Sequence, residues 1–397
     1  MALPKEVKRW AYYSFANHSY QVVYLSFLLP VFFSTVLAGK YSLGIWGTIN
    51  GFSTVFGVIL ALMIGRYSDA HSKLQAFKWS IIASAMGMTS IALATKYFSS
   101  HFVIFLFLTN AIFIWSLSLF DSILPHISNS KNVYEYGGFS WGFGYIGGVM
   151  SLILALILQK FTSQYSLLVF LSVPVFYLIF SFYSLTGLGE SKLNTTERTH
   201  KEPVISKKSK RILFLGYWLI SECITVITLF ASLYLTNEMH LSLVGVGIAL
   251  LAIQIIGFPA TWWGGRLAEK YNVLHLLAFT MALWGGGVVA LLLLNLKLTG
   301  LAIAILFIGC AYGNTQSYMR SQYSVIIERS ESGFQFGIYS IISEAAVFVG
   351  PIIFGYASDK LHSQRIPLLV LYLCMLSGYG LVWKVMHNVK IDLTNNF

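Results

Sequence analysis

Two carboxylic acids lie deep inside long apolar stretches of the sequence. Glu222 is about ten residues into the stretch 211–236, and Glu344 is about ten residues into 334–357. At 1.5 Å per residue, each would sit ~15 Å from a helix end, near the middle of a bilayer core about 30 Å thick. A carboxyl group buried there favours its protonated form, which suits the uptake and release of protons near neutral pH. We predict that each couples transport to protons or holds a cationic substrate group. The alternative is a protonated glutamate that hydrogen-bonds a neighbouring helix.

The first apolar stretch, 10–38, carries a polar stripe. Its members recur at the i, i+3, i+4 and i+7 positions of a helix: Asn17, Tyr20, Gln21 and Tyr24. Such a stripe faces protein or water rather than lipid, so we predict that it lines a substrate cavity. Hydrogen bonding between helices is the alternative. His18, beside the stripe, titrates near neutral pH in water, but a single membrane histidine is more often only hydrogen-bonded.

Further polar and aromatic residues are candidates for substrate binding. They are Asn110, Trp141, Tyr145, Asn314, Arg320 and Ser343. Arg320 could bind an anionic substrate group, pair with Glu344, or extend to the membrane surface, and we favour the two structural roles. Asp121, at the end of the fourth apolar stretch, is assigned to a gate or a helix cap.

Two short polar turns repeat across the chain. "GRYSDAHSK" occupies residues 65–73 and "GGRLAEKYN" occupies 264–272, so Gly265 follows Gly65 by 200 residues. Each glycine is predicted to end the second helix of its half. The gating candidates are Gly65, Asp69, Lys73, Asp121, Gly265 and Glu269. A parallel repeat of this kind is how several transporters build a central pathway.

The elements that position these residues are long apolar helices. The chain is 56% hydrophobic and 10% charged, whereas soluble chains carry about 25% charged residues. Blocks of roughly 20 apolar residues predict twelve transmembrane helices. The predicted spans are 10–38, 43–65, 77–97, 102–122, 138–160, 165–187, 211–236, 242–264, 274–296, 299–325, 334–357 and 366–386. The fold class is therefore all-α integral membrane. It comprises a six-helix bundle at 1–187, a basic linker at 188–210 and a second six-helix bundle at 211–397.

The net charge of +11 is explained by topology. If the N-terminus is cytoplasmic, twenty of the 26 Lys and Arg residues fall on the cytoplasmic side. The other six are Lys40, Lys96, Lys160, Lys297, Lys360 and Arg365. This bias follows the positive-inside rule and predicts that both termini and the linker are cytoplasmic. Nucleic acid is thus not an expected partner, and the first helix is expected to be retained rather than cleaved as a signal peptide.

The sequence contains no motif that favours a cofactor, a metal or an enzyme. Cys223, Cys310 and Cys374 are isolated and have neither disulfide nor zinc spacing. "GFGYIG" (142–147) fits a dinucleotide fingerprint but opens an apolar helix without a preceding strand, so its glycines are expected to serve helix packing. No Walker A sequence is present. We expect a monomer that is not an enzyme and that uses neither ATP nor a bound cofactor.

The first turn resembles the loop motif of the major facilitator superfamily, in which Gly65, Asp69 and Lys73 match well and Gly265 and Glu269 match more loosely. Four longer stretches resemble its Atg22-like (UMF1) branch: "WAYYSFANHSY" (10–20), "FDSILPHI" (120–127), "GGFSWGFGYIGG" (137–148) and "FGIYSIISEAAVFVGPIIFG" (336–355). The chain departs from that branch at Ser14, where an acid is usual, and at Glu344, where a lysine is frequent.

The resemblance implies a transporter that rocks two halves about a central site. It implies that Asp69 and Lys73 latch the cytoplasmic side and favour the outward-open state. The branch's cargo, chiefly amino acids leaving fungal vacuoles, implies a small polar or zwitterionic solute. We expect proton coupling and a bacterial inner membrane. The alternatives are transport of a larger organic molecule such as a siderophore, drug or amphiphile, and a sensor that does not transport.

Overall fold

The computed structural model describes residues 3–37, 42–129, 131–163, 165–186, 188–189, 207–293, 297–344 and 346–394. All regular structure within these residues is helical. Eleven of the described helices are long and apolar enough to cross a membrane. The remaining position is held by the helices Ser332–Glu344 and Ala346–Leu361, on either side of residue 345. The predicted twelve-helix architecture is confirmed.

We number the spans α1 to α12 in chain order. The first six are α1 (Lys5–Leu37), α2 (Ser42–Ala70), α3 (Lys73–Lys96), α4 (Phe102–Ser122), α5 (Val133–Phe161) and α6 (Leu167–Leu185). The second six are α7 (Lys207–Asn237), α8 (Leu243–Ala268), α9 (Val273–Leu293), α10 (Lys297–Ile326), α11 (Ser332–Glu344 and Ala346–Leu361) and α12 (Arg365–Thr394). Serine caps begin several of them. Ser72 Oγ accepts from the Gln75 amide at 3.1 Å, and Ser242 Oγ accepts from the Gly245 amide at 3.2 Å.

The two halves pack their helices in the same pattern. α1 packs on α5 and α6, as α7 packs on α11 and α12, and α4 packs on α2 and α3, as α10 packs on α8 and α9. The halves meet mainly along two helix pairs, α2 with α11 and α5 with α8. Glycine permits the second contact, because a Cβ on Gly138 would lie 2.8 Å from the Cα of Gly265.

The polar turns 65–73 and 264–272 lie at the same end of the bundle, which we call the basic end. We call the other end, where α2 begins at Ser42, the opposite end. Gly65 and Gly265 do not end their helices as predicted, because α2 continues to Ala70 and α8 to Ala268. Backbone hydrogen bonding continues past each glycine, with His71 N–H donating to Tyr67 O and Tyr271 N–H donating to Leu267 O. Asp69 therefore lies in the last turn of α2 rather than in a loop.

α1 departs from a regular α-helix at the predicted polar stripe. Residues Ser19–Leu28 form a π-helix, which winds more residues into each turn than the α-helix that the i, i+4 spacing assumes. Consistent with this geometry, Ser26 Oγ donates to Gln21 O, five residues back, at 2.9 Å. The prediction of one continuous stripe is therefore wrong, since its members turn in different directions. Of the predicted linker, residues 190–206 lie outside the described part, and Lys207 already belongs to α7.

Candidate functional site

A cavity of ≈ 140 Å³ lies between the two halves. It has room for on the order of ten water molecules or for one small solute. Its polar lining comes from Gln21, Asn50, Thr54, Asn110, Asp121, Thr225, Thr228, Gln316, Arg320 and Ser343. Its aromatic lining comes from Phe113, Trp141, Tyr312 and Tyr339. Both halves contribute, as a site that is exposed alternately to two sides requires.

One buried ion pair spans the halves at the cavity wall. Arg320 of α10 donates from Nη1 to Asp121 Oδ1 of α4 at 2.9 Å, and the two side chains are only 4% and 11% exposed. Arg320 therefore does not extend to the membrane surface. Burial makes the pair costly to break, because either charge left alone in the interior would be unpaired.

The guanidinium of Arg320 is surrounded by residues of the N-terminal half. Its Nη2 donates to Gly137 O at 3.0 Å. Its guanidinium carbon lies 5.4 Å from the Trp10 ring centroid and 5.7 Å from those of Phe120 and Trp141. The Nε atom has no hydrogen-bond partner among the described residues.

The predicted stripe on α1 divides between three surroundings. Gln21 lines the cavity. The Tyr20 hydroxyl donates to Asn110 Oδ1, and Asn110 Nδ2 donates to Asn50 Oδ1 at 2.8 Å. The Tyr24 hydroxyl donates instead to Phe170 O at 2.7 Å, so Tyr24 ties α1 to α6. Tyr20 and Tyr24 thus contribute to helix packing, while Asn110 reaches the cavity.

His18 is enclosed by its own helix and by α5. Its Nδ1 contacts Ser14 O at 2.8 Å and Asn17 Oδ1 at 3.0 Å. Its ring packs edge-on to Trp141 and Tyr145, with centroids 5.5 and 5.4 Å away. Among these residues only Trp141 lines the cavity.

Two further candidates on the C-terminal half have different surroundings. Asn314 Nδ2 donates to Ala260 O at 3.1 Å and to Cys310 O at 2.9 Å, which places this side chain between α8 and α10. Ser343 of α11 lines the cavity. Asn314 therefore joins helices, whereas Ser343 is available to a solute.

Glu222 is buried outside the cavity. Its side chain lies against Gly350 of α11, and neither carboxyl oxygen has a hydrogen-bond partner among the described residues. Residues that follow on α7, such as Thr225 and Thr228, do line the cavity. The side chain of Glu344 lies outside the described part of the chain.

At the basic end, Asp69 joins α2 to the first turn of α11. Its Oδ1 accepts from the Gly333 amide at 2.9 Å, and its Oδ2 accepts from the Phe334 amide at 2.7 Å. Lys73 Nζ donates to Asp69 Oδ1 at 2.6 Å and to Ser332 Oγ at 2.7 Å. A carboxylate at a helix N-terminus satisfies unpaired amides and meets the positive end of the helix dipole. This contact closes the basic end between the halves.

Glu269 makes the corresponding contact at the other helix pair. Its Oε1 accepts from the Glu135 amide in the first turn of α5 at 2.8 Å. Arg266 Nε donates to Glu135 Oε1 at 3.1 Å. Burial, and to a smaller extent the charge of Glu135, raises the pKa of Glu269, while the amides of Glu135 and Tyr134 act in the opposite direction. The two turns therefore make equivalent contacts, although the second lacks a counterpart of Lys73.

Residues 14–351 match the family model of the Major Facilitator Superfamily. The chain belongs to the major facilitator superfamily. It is therefore a membrane transporter and an integral membrane protein, and the family predicted from the loop motif is confirmed.

Relatives within the superfamily are distant. The chain is 19% identical to the uncharacterized MFS-type transporter YxiO of Bacillus subtilis, across 98% of this chain and 97% of that protein. It is 22% identical to autophagy-related protein 22 of Yarrowia lipolytica, across 44% of this chain and 31% of that protein. The chain thus spans about a third of the length of that relative, but nearly all of the Bacillus protein.

Solved structures of the superfamily share the fold. A bacterial homologue of the iron transporter ferroportin, in an outward-facing state, aligns with a TM-score of 0.69 at 15% identity and covers 96% of this chain and 98% of its own. The E. coli fucose:proton symporter aligns with a TM-score of 0.60 at 12% identity, and the alignment covers 96% of this chain and 97% of the symporter. At these identities the likeness concerns the fold alone.

Several cavity residues of this superfamily member were missed from the sequence. Asn50 and Thr54 are four residues apart on α2, and on α10 Tyr312 and Gln316 precede the predicted Arg320 at the same spacing. This i, i+4 spacing is the available signal, since it places side chains on one helix face. It could not distinguish a face towards the cavity from a face towards another helix.

Proposed function

We propose that this transporter moves a small zwitterionic solute with an apolar side chain, such as leucine, by alternating access. The observation that carries the proposal is the composition of the cavity between the halves. Arg320 can bind a carboxylate, and the amide oxygens of Gln21 and Gln316 can accept hydrogen bonds from an ammonium group. Aromatic faces, including that of Tyr312, also attract a cation.

The apolar part of the lining supports a hydrophobic side chain on the solute. Leu25, Phe113, Ile114, Ile224 and Leu229 contribute to the same cavity. Small-molecule sites commonly combine such surfaces with a few polar groups that fix the orientation. A cavity of ≈ 140 Å³ favours a small solute over a siderophore or an amphiphile.

We further propose that transport is coupled to protons through a buried carboxylate. Glu222 is supported by its burial and its two unpaired oxygens. Glu344 is supported by its sequence position on α11, and Asp121 by its place in the cavity. The E. coli fucose:proton symporter, which shares the fold, supports the compatibility of this architecture with proton coupling.

The charge distribution supports a cytoplasmic basic end. Similarity to a Bacillus subtilis protein over nearly the whole chain supports a bacterial plasma membrane. With both halves in one chain, we propose that the monomer is the transporting unit.

The test is exchange of radiolabelled leucine in proteoliposomes that contain the purified protein. The expected result is accelerated exchange, which unlabelled leucine inhibits more strongly than leucinamide, which lacks the carboxylate, or 4-methylpentanoate, which lacks the amine. An inward proton gradient should drive accumulation. Absence of exchange and of thermal stabilisation across the amino acids would refute the proposed cargo, whereas stabilisation without exchange would support the sensor alternative.

A further inference from the structure

We infer that Asp121 carries the coupled proton, and that the carboxylate of the solute replaces Asp121 on Arg320. This inference rests on the proposed function and names the coupling residue within it. It differs from the assignment of proton coupling to Glu222 or Glu344, which the sequence suggested. Asp121 and Arg320 both line the cavity, whereas Glu222 does not.

Geometry makes Arg320 a shared binding partner. One terminal nitrogen of its guanidinium is bonded to Asp121, the other to Gly137 O, and Nε has no described partner. Nη2 keeps a second N–H beside Nη1, so a solute carboxylate in the cavity can compete with Asp121 for Nη1 and accept from Nη2 at the same time. A planar guanidinium accommodates a carboxylate through two parallel hydrogen bonds, which favours the exchange.

Once the solute has displaced Asp121 from Arg320, the negative charge left on Asp121 has to be neutralised by a proton. Once its partner has moved to the solute, Asp121 would be a buried carboxylate without a counter-ion, which is strongly unfavourable. A proton from the water on the loading side binds a carboxyl oxygen of Asp121 and removes that charge. On unloading, the proton leaves to the other side and Asp121 pairs again with Arg320. No covalent bond other than this O–H bond is made or broken.

Among the described residues, few titratable groups interact electrostatically with Asp121 or with its partner Arg320. Arg320 of α10 is the charged group that interacts with Asp121, while the charge of Asp121 acts on the Tyr13 hydroxyl of α1 and the charge of Arg320 acts on the His18 ring of α1. The Tyr13 hydroxyl is hydrogen-bonded to Ser116 Oγ, with 2.6 Å between the two oxygen atoms. Among the described neighbours, Arg320 is therefore the charge whose removal controls the protonation of Asp121.

The same exchange links binding to opening of the basic end. The Asp121–Arg320 pair joins α4 of one half to α10 of the other. The halves can separate there without an unpaired charge only when the solute satisfies Arg320 and a proton satisfies Asp121. An empty or singly loaded transporter stays closed at this point, and this requirement couples the two cargoes. For a zwitterion, each cycle carries one net positive charge.

The test compares leucine binding and uptake in wild type and in Asp121→Asn. Wild-type affinity should rise as the pH falls, by up to tenfold per pH unit, because binding takes up one proton. In Asp121→Asn the affinity should be independent of pH between about 5 and 8, exchange should persist, and accumulation driven by a proton gradient should be lost. Glu328→Gln, which changes an exposed carboxylate at the basic end, should behave as wild type.

A neutral double variant guards against misfolding, because Asp121→Asn leaves Arg320 without its counter-ion. Asp121→Asn with Arg320→Gln contains no buried charge at this position and should bind leucine and leucinamide within a few-fold of each other. Proton-driven accumulation that survives in Asp121→Asn, or that is lost only in Glu222→Gln, would overturn this inference and leave the proposed function intact. A wild type that neither binds nor exchanges leucine would instead refute the proposed function.

Discussion

Replacing Asp69 with asparagine should open the basic end of the bundle. The carboxylate accepts hydrogen bonds from two backbone amides of α11, across the interface between the halves, and from Lys73 of its own half. Asparagine keeps the shape but loses the charge, and its amide nitrogen cannot accept a hydrogen bond. The change therefore weakens the closed state, in which these groups are buried, more than an open state in which water surrounds them.

The magnitude follows from the burial of the pair. Removing one partner of a buried ion pair costs about 3–5 kcal/mol. The Asp69 side chain is 11% exposed and that of Lys73 is 2% exposed, and Ser332 Oγ would still contact Lys73. We therefore take the lower end, about 3 kcal/mol, which shifts the ratio of closed to open molecules roughly 150-fold towards open.

Distances between spin labels measure this shift. Labels at the exposed positions Lys78 and Ser330 lie at the basic end of different halves. In a background without the three native cysteines, the long-distance population should increase in Asp69→Asn and not in the control Glu328→Gln. Leucine transport should fall, while leucine affinity should stay within a few-fold of wild type.

An unchanged distance distribution in Asp69→Asn, together with a large loss of affinity, would refute this reasoning. That result would place Asp69 in solute binding rather than in the closure of the basic end. Asp69→Glu tests whether the charge alone suffices: because a longer side chain displaces the carboxylate from the α11 amides, the open population should increase by less than in Asp69→Asn.

Three further predictions use the same distance measurement or thermal unfolding. Unlike Asp69→Asn, Glu269→Gln should not open the basic end, because burial already disfavours the Glu269 charge and the glutamine amide oxygen can still accept from the Glu135 amide. Since burial raises the pKa of Glu269, the closed state binds its proton more tightly than an open state in water. Lowering the pH through the carboxyl range should thus strengthen this contact in wild type but not in the variant. Gly138→Val should force α5 and α8 apart and cost about 1–3 kcal/mol of the closed state, whereas a variant that closes normally would show that the backbone yields instead. Asp359→Asn should favour opening at the opposite end by about 1 kcal/mol, because Asp359 Oδ2 accepts there from the Gly44 amide at 3.1 Å; opening at the basic end would contradict this.

The sequence by itself determined the architecture. Apolar stretches of bilayer length are specified locally, because every backbone amide inside the membrane must be paired within its own helix. Twelve spans and two similar halves therefore followed from hydropathy and from the repeat of the Gly65 turn at Gly265, and the family followed from the resemblance of the first turn to a known loop motif. The prediction that Asp69 serves closure rather than binding agrees with its contacts to Gly333 and Phe334.

Only the tertiary structure decided which polar side chains line the cavity and which pack against other helices. The sequence predicted Glu222 to be a buried functional carboxylate and Asp121 to serve a gate or a helix cap, yet of the two only Asp121 lines the cavity, because α7 turns Glu222 towards α11. Likewise, the π-helical segment of α1 sends Tyr24 to α6 while Gln21 faces the cavity. Periodicity fixes which residues share a helix face, but the neighbour of that face depends on the packing of other helices.

The ion-pair partner of Arg320 shows most clearly which facts the sequence predicts and which depend on the tertiary structure. The sequence showed the charge of Arg320 and its position on α10 and left three roles open: binding an anionic solute group, pairing with Glu344, or extending to the membrane surface. Asp121 lies 199 residues away in the other half, and no local pattern connects the two. The pairing arises because the halves close on each other and exclude water, which leaves each charge no favourable partner except the other. The sequence therefore determines that Arg320 and Asp121 carry opposite charges, and the packing of the two halves determines that they form an ion pair.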